Sequence, residues 1–243
     1  MDMKFEIELG DTALKIGGVF DDSGEMKKFN REFKLTNKKK RGLETDSANY
    51  EVLNIAALQI KNVPGAICEI GTRRGGSLKV IVDSLLTNED FQRNVVCIDP
   101  YGNIDYHLGE TEGARPLKLD YNNDMRNESM AAIYEYAQEK PVNIVFMCME
   151  DVEFFARYGD GVPFYNQVKT MENKYALVFY DGPHTLEALN TEIEFFDPRS
   201  PKGAVWVFNN LAMYPHAQIE EKIFAMGWEL LETSPRKSSY VKK

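Results

Sequence analysis

Cysteine, histidine and tryptophan are scarce in this chain: three, three and two among 243 residues. The cysteines, Cys68, Cys97 and Cys148, are odd in number and no two stand in CxxC spacing, which argues against a disulfide scaffold and a thiolate metal knuckle. Each falls in a different apolar run that reads as a strand, so all three are expected as buried thiols. Long apolar runs are missing too. Nothing approaches the roughly 18 consecutive apolar residues of a membrane span, and the opening MDMKFEIELG carries acids where a secretory signal needs an apolar stretch. A cytoplasmic protein without a membrane partner is expected. Bases are in the minority, 29 Lys plus Arg against 38 Asp plus Glu for a net charge of −9, which argues against a surface that grips nucleic acid throughout.

What is present is ordinary globular material, 43% hydrophobic and 28% charged. At this length about seven-tenths of the unfolded surface can be buried in one α/β domain. The charge is uneven. Residues 27–41 hold eight bases (Lys27, Lys28, Arg31, Lys34, Lys38, Lys39, Lys40, Arg41) against Glu32 alone, so this stretch is +7 and the remainder −16. It closes an N-terminal β appendage, residues 1–45. There KFEIEL and ALKIGGVF alternate around Gly10-Asp11 as a hairpin does, and Asp22-Ser23-Gly24 turns the chain into the basic segment. The appendage also offers a surface through which copies could pair into a homo-oligomer.

From residue 46 onward short apolar runs alternate with amphipathic helices. Strands are predicted over 66–70, 94–98, 142–149, 175–180 and 203–208. The helical faces between them are Leu78, Ile81, Val82 and Leu85; Met130, Ile133, Tyr134 and Ala137; and Leu186, Leu189, Ile193 and Phe196. A first helix, capped at Asp46-Ser47, carries Leu53, Ala56, Ala57 and Ile60. This rhythm predicts a doubly wound, mostly parallel sheet covered on both faces. The last two runs, 228–233 and 237–242, are separated only by Ser234-Pro235-Arg236, too short for a parallel crossover, and must pair antiparallel. Residues 101–121 and 158–174 read as loops.

In an open parallel sheet the ligand crevice lies beyond the carboxyl ends of the strands. The first such turn, EIGTRRGGS over 69–77, places Arg73 where a dinucleotide turn needs its second glycine, and lacks the Gly-Lys-Ser/Thr of a phosphate-binding loop. The second strand ends in Asp99, in CIDPYG. An acid, a glycine turn and a second acid suit a nucleoside carrying an amino acid. On these residues and the terminal hairpin, roughly residues 50–243 resemble the class I S-adenosylmethionine-dependent methyltransferases, especially the small-molecule O-methyltransferase branch with its macrolide-sugar and catechol-type enzymes. The resemblance implies a Rossmann-like, seven-stranded sheet with an antiparallel C-terminal hairpin, and S-adenosylmethionine as cofactor. It places Glu69, Gly71, Gly75 and Ser77, with Thr72 and Arg73 of the same turn, on the methionine side, Asp99 at the ribose, and Glu150 or Asp151 near the adenine. Plainer roles stay open: a strand-end carboxylate for Glu69, a turn for Asp99 before Pro100, a helix cap for Glu150 or Asp151.

The fourth strand runs into Tyr180-Asp181-Gly182-Pro183-His184 and the fifth into Asn209-Asn210. In the metal-dependent members of the resembling branch, an acid at the first position and an Asp-Asp or Asp-Asn pair at the second hold a divalent ion such as Mg²⁺. Asp181, Asn209 and Asn210 match those positions, with Asn209 replacing an expected Asp. One carboxylate and two amides make a weak site for a hard cation, and turn-forming or substrate-binding amides are the competing reading. Asp181 and His184 are the candidate catalytic residues. His184 opens a helix, and an imidazole there suits a general base, although it can equally lock its loop by a hydrogen bond. His107 is placed in the loop 101–121, and His216 in a first helical turn with a structural role. The resulting expectation is O-methylation of a small hydroxylated acceptor, a sugar or a phenol. Two alternatives stand beside it: a non-catalytic cofactor-binding module, and a methyltransferase for an anionic or nucleic-acid acceptor recruited by residues 27–41.

Overall fold

The computed structural model describes residues 43, 47–90, 93–101, 121–138 and 140–243, together with the backbone of three N-terminal strands. The chain divides into two compact units, Met1–Gly42 and Leu43–Lys243. The first is an antiparallel meander of β1 (Met3–Glu8), β2 (Ala13–Phe20) and β3 (Met26–Lys34). The expected hairpin is β1 with β2, in register from Met3 opposite Phe20 to Glu8 opposite Lys15. The basic segment, expected to follow the turn at Asp22-Ser23-Gly24, begins on a third strand that sets Phe29 opposite Gly18 and Phe33 opposite Leu14. Aromatic residues four apart supply strand propensity that a count of lysines conceals. Lys38, Lys39, Lys40 and Arg41 lie outside the described residues, as do Asp46 and His107.

The second unit runs α1 (Tyr50–Gln59), β4 (Ala66–Ile70), α2 (Gly76–Thr87), β5 (Asn94–Ile98), α3 (Asn123–Gln138), β6 (Asn143–Met147), α4 (Asp151–Tyr158), β7 (Val162–Tyr165), β8 (Lys169–Glu172), β9 (Tyr175–Tyr180), α5 (Leu186–Phe196), β10 (Val205–Asn209), α6 (His216–Ala225), β11 (Trp228–Thr233) and β12 (Lys237–Lys242). Seven strands form one sheet in the order β11-β12-β10-β9-β4-β5-β6. β4, β5, β6, β9 and β10 are parallel, while β12 runs antiparallel to both its neighbours. The chain moves outward from β4 to β6 and then returns to β9 on the other side of β4. Strand order therefore reverses between β4 and β9, and the crevice opens beyond their carboxyl ends.

Two-residue alternation along the strands sorts the core into two layers. Val205 and Val207 of β10, with Ile67 of β4, meet Val52, Leu53, Ile81, Val82, Leu85 and Ile133 of α1, α2 and α3. Trp206 and Phe208, with Cys68 and Ile70, meet Phe154, Leu189, Ile193, Phe196, Ile219 and Ile223 of α4, α5 and α6. Trp206 stacks on Trp228 with ring centres 3.7 Å apart, and their indole N–H groups donate to Ser200 Oγ and Asp197 Oδ1, each at 3.0 Å.

Four expectations need correction. The first helix begins at Tyr50 after Asn49, without a side-chain cap from Ser47. The third parallel strand stops at Met147, so Cys148 lies past it and is exposed, whereas Cys68 and Cys97 are buried. Residues 158–174 contain the β7–β8 hairpin, since Gly161 and Pro163 flank short runs that pair Val162 with Glu172 through Tyr165 with Lys169. On α3 the buried residues are Met125, Ser129 and Ile133, while Tyr134 is exposed. No helix among the described residues is long and apolar enough to cross a membrane.

Candidate active site

Six non-glycine residues have positive φ among those described, and four of them follow sheet strands: Arg73 after β4 (φ 44°), Tyr101 after β5 (49°), His184 after β9 (54°) and Asn210 after β10 (53°). Left-handed backbone costs such residues about 1–3 kcal/mol each and concentrates where function constrains the chain. All four turns open onto the same edge of the sheet, the one that contains the switch point.

The two central strands meet at Gly71. Its N–H donates to Ile98 O at 2.8 Å, and Asp181 N–H donates to Ile70 O at 3.0 Å. A Cβ at Gly71 would fall 2.0 Å from Asp181 O, and its φ is +84°. Glycine is required there by the approach of one strand exit to the other. The rest of the turn is held by acids. Asp99, 1% exposed, accepts Arg73 N–H at 2.9 Å on Oδ2 and Tyr101 N–H at 3.0 Å on Oδ1, while Tyr101 OH donates to Arg73 O at 2.7 Å. Burial pushes Asp99 up to about 6, against the pull of those two N–H groups. Glu69, fully buried, accepts a short hydrogen bond from Ser77 Oγ in the first turn of α2. Gly75 (φ 76°) closes the turn with its N–H on Thr72 O at 2.8 Å.

The two acids after β6 part company. Glu150 is exposed at the N-terminus of α4, its N–H donating to Glu153 Oε2 at 3.3 Å. Asp151 turns inward beside Glu192. Glu192, 1% exposed, is raised well above the carboxylate range, first by burial and then by the charge and hydrogen bonding of Asp151. A Cβ at Gly182 would lie 3.3 Å from Glu192 Oε1, so this carboxyl sits directly against the turn bearing Asp181 and His184.

At the ends of β9 and β10 the predicted residues come together. Asp181 Oδ1 accepts Asn209 Nδ2 at 2.6 Å and lies 3.2 Å from His184 Nε2, and Asn210 Nδ2 lies 3.1 Å from the same ring nitrogen. His184 is buried, its ring parallel to Tyr214. Arg236 donates to Asn210 Oδ1 at 2.5 Å. Lys237, with no exposed surface, donates to Ser47 Oγ at 2.7 Å and Ala48 O at 2.6 Å. Ser47 Oγ stands 3.5 Å from Asn209 Oδ1. His216 lies elsewhere, its Nε2 2.9 Å from Tyr240 OH, which donates to Glu220.

Sequence reasoning missed Glu192, Arg236, Lys237 and Ser47. Glu192 had a signal, an acid within the apolar stripe Leu189, Ile193, Phe196. The other three had none, because their partners lie 26 to 190 residues away.

The residues present fit S-adenosylmethionine. The turn ends carry Glu69, Asp99, Asp151 and Asp181, a set suited to a cofactor with sulfonium and ammonium charges. Each Asp99 oxygen also keeps an acceptor position beyond its backbone N–H. They do not fit a divalent cation. Asp181 Oδ1 is taken by an amide N–H, Asn210 Oδ1 by a guanidinium, and no group of three His, Cys, Asp or Glu residues with metal-site geometry occurs among the described residues.

A doubly wound sheet of this order, closed by an antiparallel hairpin and rimmed with acids at its glycine turn, defines an S-adenosylmethionine-dependent methyltransferase. A family model described as a methyltransferase domain matches residues 68–211, more than half of the chain, and the chain belongs to that family. Among solved structures it is similar in fold to the O-methyltransferase NovP, at 18% identity and a TM-score of 0.56 over 80% of this chain and 79% of that one. It is similar also to CalS11, calicheamicin methyltransferase, at 18% identity and a TM-score of 0.51 over 79% and 77%. No curated relative matches by sequence.

Proposed function

We propose that the protein transfers a methyl group from S-adenosylmethionine to a hydroxyl oxygen of a small acceptor, a sugar or a phenol. The observation that carries this reading is the convergence of Asp181, His184, Asn209 and Asn210 at the ends of β9 and β10, with His184 Nε2 3.2 Å from Asp181 Oδ1. The names of the two structural neighbours, both methyltransferases, agree with it. The cofactor, when bound, supplies a methyl group on an already activated sulfonium. The chain has two tasks, to hold the acceptor oxygen in line and to take up its proton. His184 or Asp181 receives that proton, and the turn that carries both fixes their aim. Glu69, Gly71, Thr72, Arg73, Gly75 and Ser77 hold the methionine portion, Asp99 accepts the ribose hydroxyls, and the Glu150-Asp151 corner borders the adenine. In this reading residues 46–243 are the catalytic domain and 1–45 an appendage, a division supported by the compactness of Met1–Gly42.

The test is methyl transfer to a panel of sugars and phenols, with binding of S-adenosylhomocysteine measured by calorimetry. Asp181→Ala and His184→Ala are each expected to slow transfer about 100-fold or more while leaving cofactor affinity within about twofold. Unchanged transfer in both variants would show the proton-accepting pair to be misassigned. No product from any acceptor, with cofactor binding intact, would favour a cofactor-binding module without turnover, and product from anionic acceptors alone would move the substrate class to a molecule recruited by residues 27–41.

A further inference from the structure

Within the Asp181 cluster each acceptor oxygen on the β10 side already faces a donor from the chain. Asn209 Nδ2 lies 2.6 Å from Asp181 Oδ1. A carboxylate at position 209 would set two anionic oxygens about that far apart, an arrangement that needs a proton or cation between them. The amide donates instead. Its orientation is set by Asp181, because the reverse would turn its carbonyl oxygen onto that carboxylate. In the observed orientation Oδ1 faces Ser47 Oγ at 3.5 Å, and Lys237 Nζ donates to that same hydroxyl oxygen at 2.7 Å.

Asn210 is fixed in the same way. The Arg236 guanidinium, at 2.5 Å, claims Oδ1 and turns the amide N–H₂ toward His184 Nε2 at 3.1 Å. Arg236 and Lys237 are consecutive at the turn between β11 and β12, so one short segment brings two positive charges to a cluster whose catalytic carboxylate is Asp181. A divalent ion would have to displace Asn209 from Asp181 and Arg236 from Asn210.

We propose that this is a metal-free acceptor site, in which the Asn209 amide, and the Asn210 amide held by Arg236, orient Asp181 and His184 where metal-using relatives place a divalent cation. Arg236 is a positioning residue in this account. The consequence for substrate class rests on the O-methylation reading. A chelating ion engages two neighbouring acceptor oxygens, whereas hydrogen bonds to Asp181 and His184 engage one. Acceptors with an isolated hydroxyl are therefore used as readily as vicinal diols.

The experiment follows Mn²⁺ uptake by the full chain through the electron paramagnetic resonance of the free ion, beside transfer rates in EDTA and in Mg²⁺. The wild-type chain is expected to leave the Mn²⁺ signal undiminished and to transfer at rates within twofold in the two media. The paired change Asn209→Asp with Asn210→Asp is expected to create stoichiometric Mn²⁺ uptake. Wild-type uptake that disappears in Asp181→Asn overturns the proposal, as does a folded double variant that takes up no Mn²⁺. Should the double variant fail to fold, the wild-type measurement decides. Absence of transfer in both media, across every acceptor, fails the O-methylation reading while the Mn²⁺ result still judges the site.

Discussion

The two halves of the crevice are built by different means. On the side of β4 and β5, side chains hold backbone: Asp99 takes the N–H groups of Arg73 and Tyr101, and Tyr101 OH returns to Arg73 O. On the side of β9 and β10, side chains hold one another, Asn209 to Asp181, Asn210 to His184, and Arg236 to Asn210. A backbone-held turn can form around any side chain compatible with its dihedrals, and suits an invariant cofactor. A network of side chains changes with every substitution, and suits the half that must recognise one acceptor among many.

The largest expected effect removes the point where the halves touch. Gly71→Ala puts a methyl group 2.0 Å from Asp181 O at a φ of +84°. Backbone cannot swing aside as a side chain can, so a loss of more than about 4 kcal/mol is expected in urea unfolding, the range left to severe core damage. A loss below about 1.5 kcal/mol would mean that the two strand exits move independently. Next in size, Lys237→Met strips a wholly buried ammonium from Ser47 Oγ and Ala48 O. Leaving those acceptors dry costs about 1–3 kcal/mol. Transfer should fall further than the stability loss explains, with cofactor affinity unmoved. Loss of cofactor affinity instead would show that the halves are one network.

The same division decides what could be read from the sequence. β4, β5 and β9 are found at the residues predicted for them, because a buried strand is a short apolar run bounded by turn residues, and β11 and β12 because only Ser234-Pro235-Arg236 separates them. The glycine turn and Asp99 were legible because each lies within a few residues of its strand. Asp181, His184, Asn209 and Asn210 were legible as strand-end residues, but the hydrogen bonds among them were not. The span from Ser47 to Lys237 covers 190 residues, and no local pattern announces that a lysine in a terminal hairpin will end beneath the start of the first helix. Glu192 was hidden differently, as a charge within a helix face otherwise apolar, where the expectation of an exposed acid was the wrong default.

A tenfold effect is expected from pH on the cofactor side. Asp99 is raised from the ordinary Asp value to about 6 by burial. An acid raised on folding contributes stability that is complete below the unfolded pKa, about 4, and is lost as pH rises through about 6. For this group alone the cofactor-free protein is therefore stabilised by acid. If Asp99 accepts two ribose hydroxyls, as proposed, the ionised form is needed and affinity runs the other way. Binding of S-adenosylhomocysteine should be flat from pH 8 to 7 and about tenfold weaker at pH 5, where about one Asp99 in ten is ionised. An affinity independent of pH over this range would leave Asp99 to its turn and remove it from the cofactor.

The smallest effect is the most discriminating. Ser47→Ala deletes the hydroxyl between Lys237 and Asn209 but leaves Ala48 O to receive the ammonium. The bond to Asn209 is long, 3.5 Å, and its direct worth is small. A stability loss of about 0.5–1.5 kcal/mol is expected, nearly all of it from the Lys237 bond. If Asn209 is oriented by Asp181 alone, transfer in this variant stays within about twofold of wild type. If the serine is what keeps the amide from turning over, its loss lets the carbonyl oxygen swing onto Asp181. Transfer then falls although no group that touches the acceptor has changed, and Asn209→Ala falls no further when Ser47→Ala is added to it. A double-mutant cycle on Ser47 and Asn209, read in transfer rate, separates the two cases. Coupling would extend the acceptor half of the crevice back to the start of the first helix.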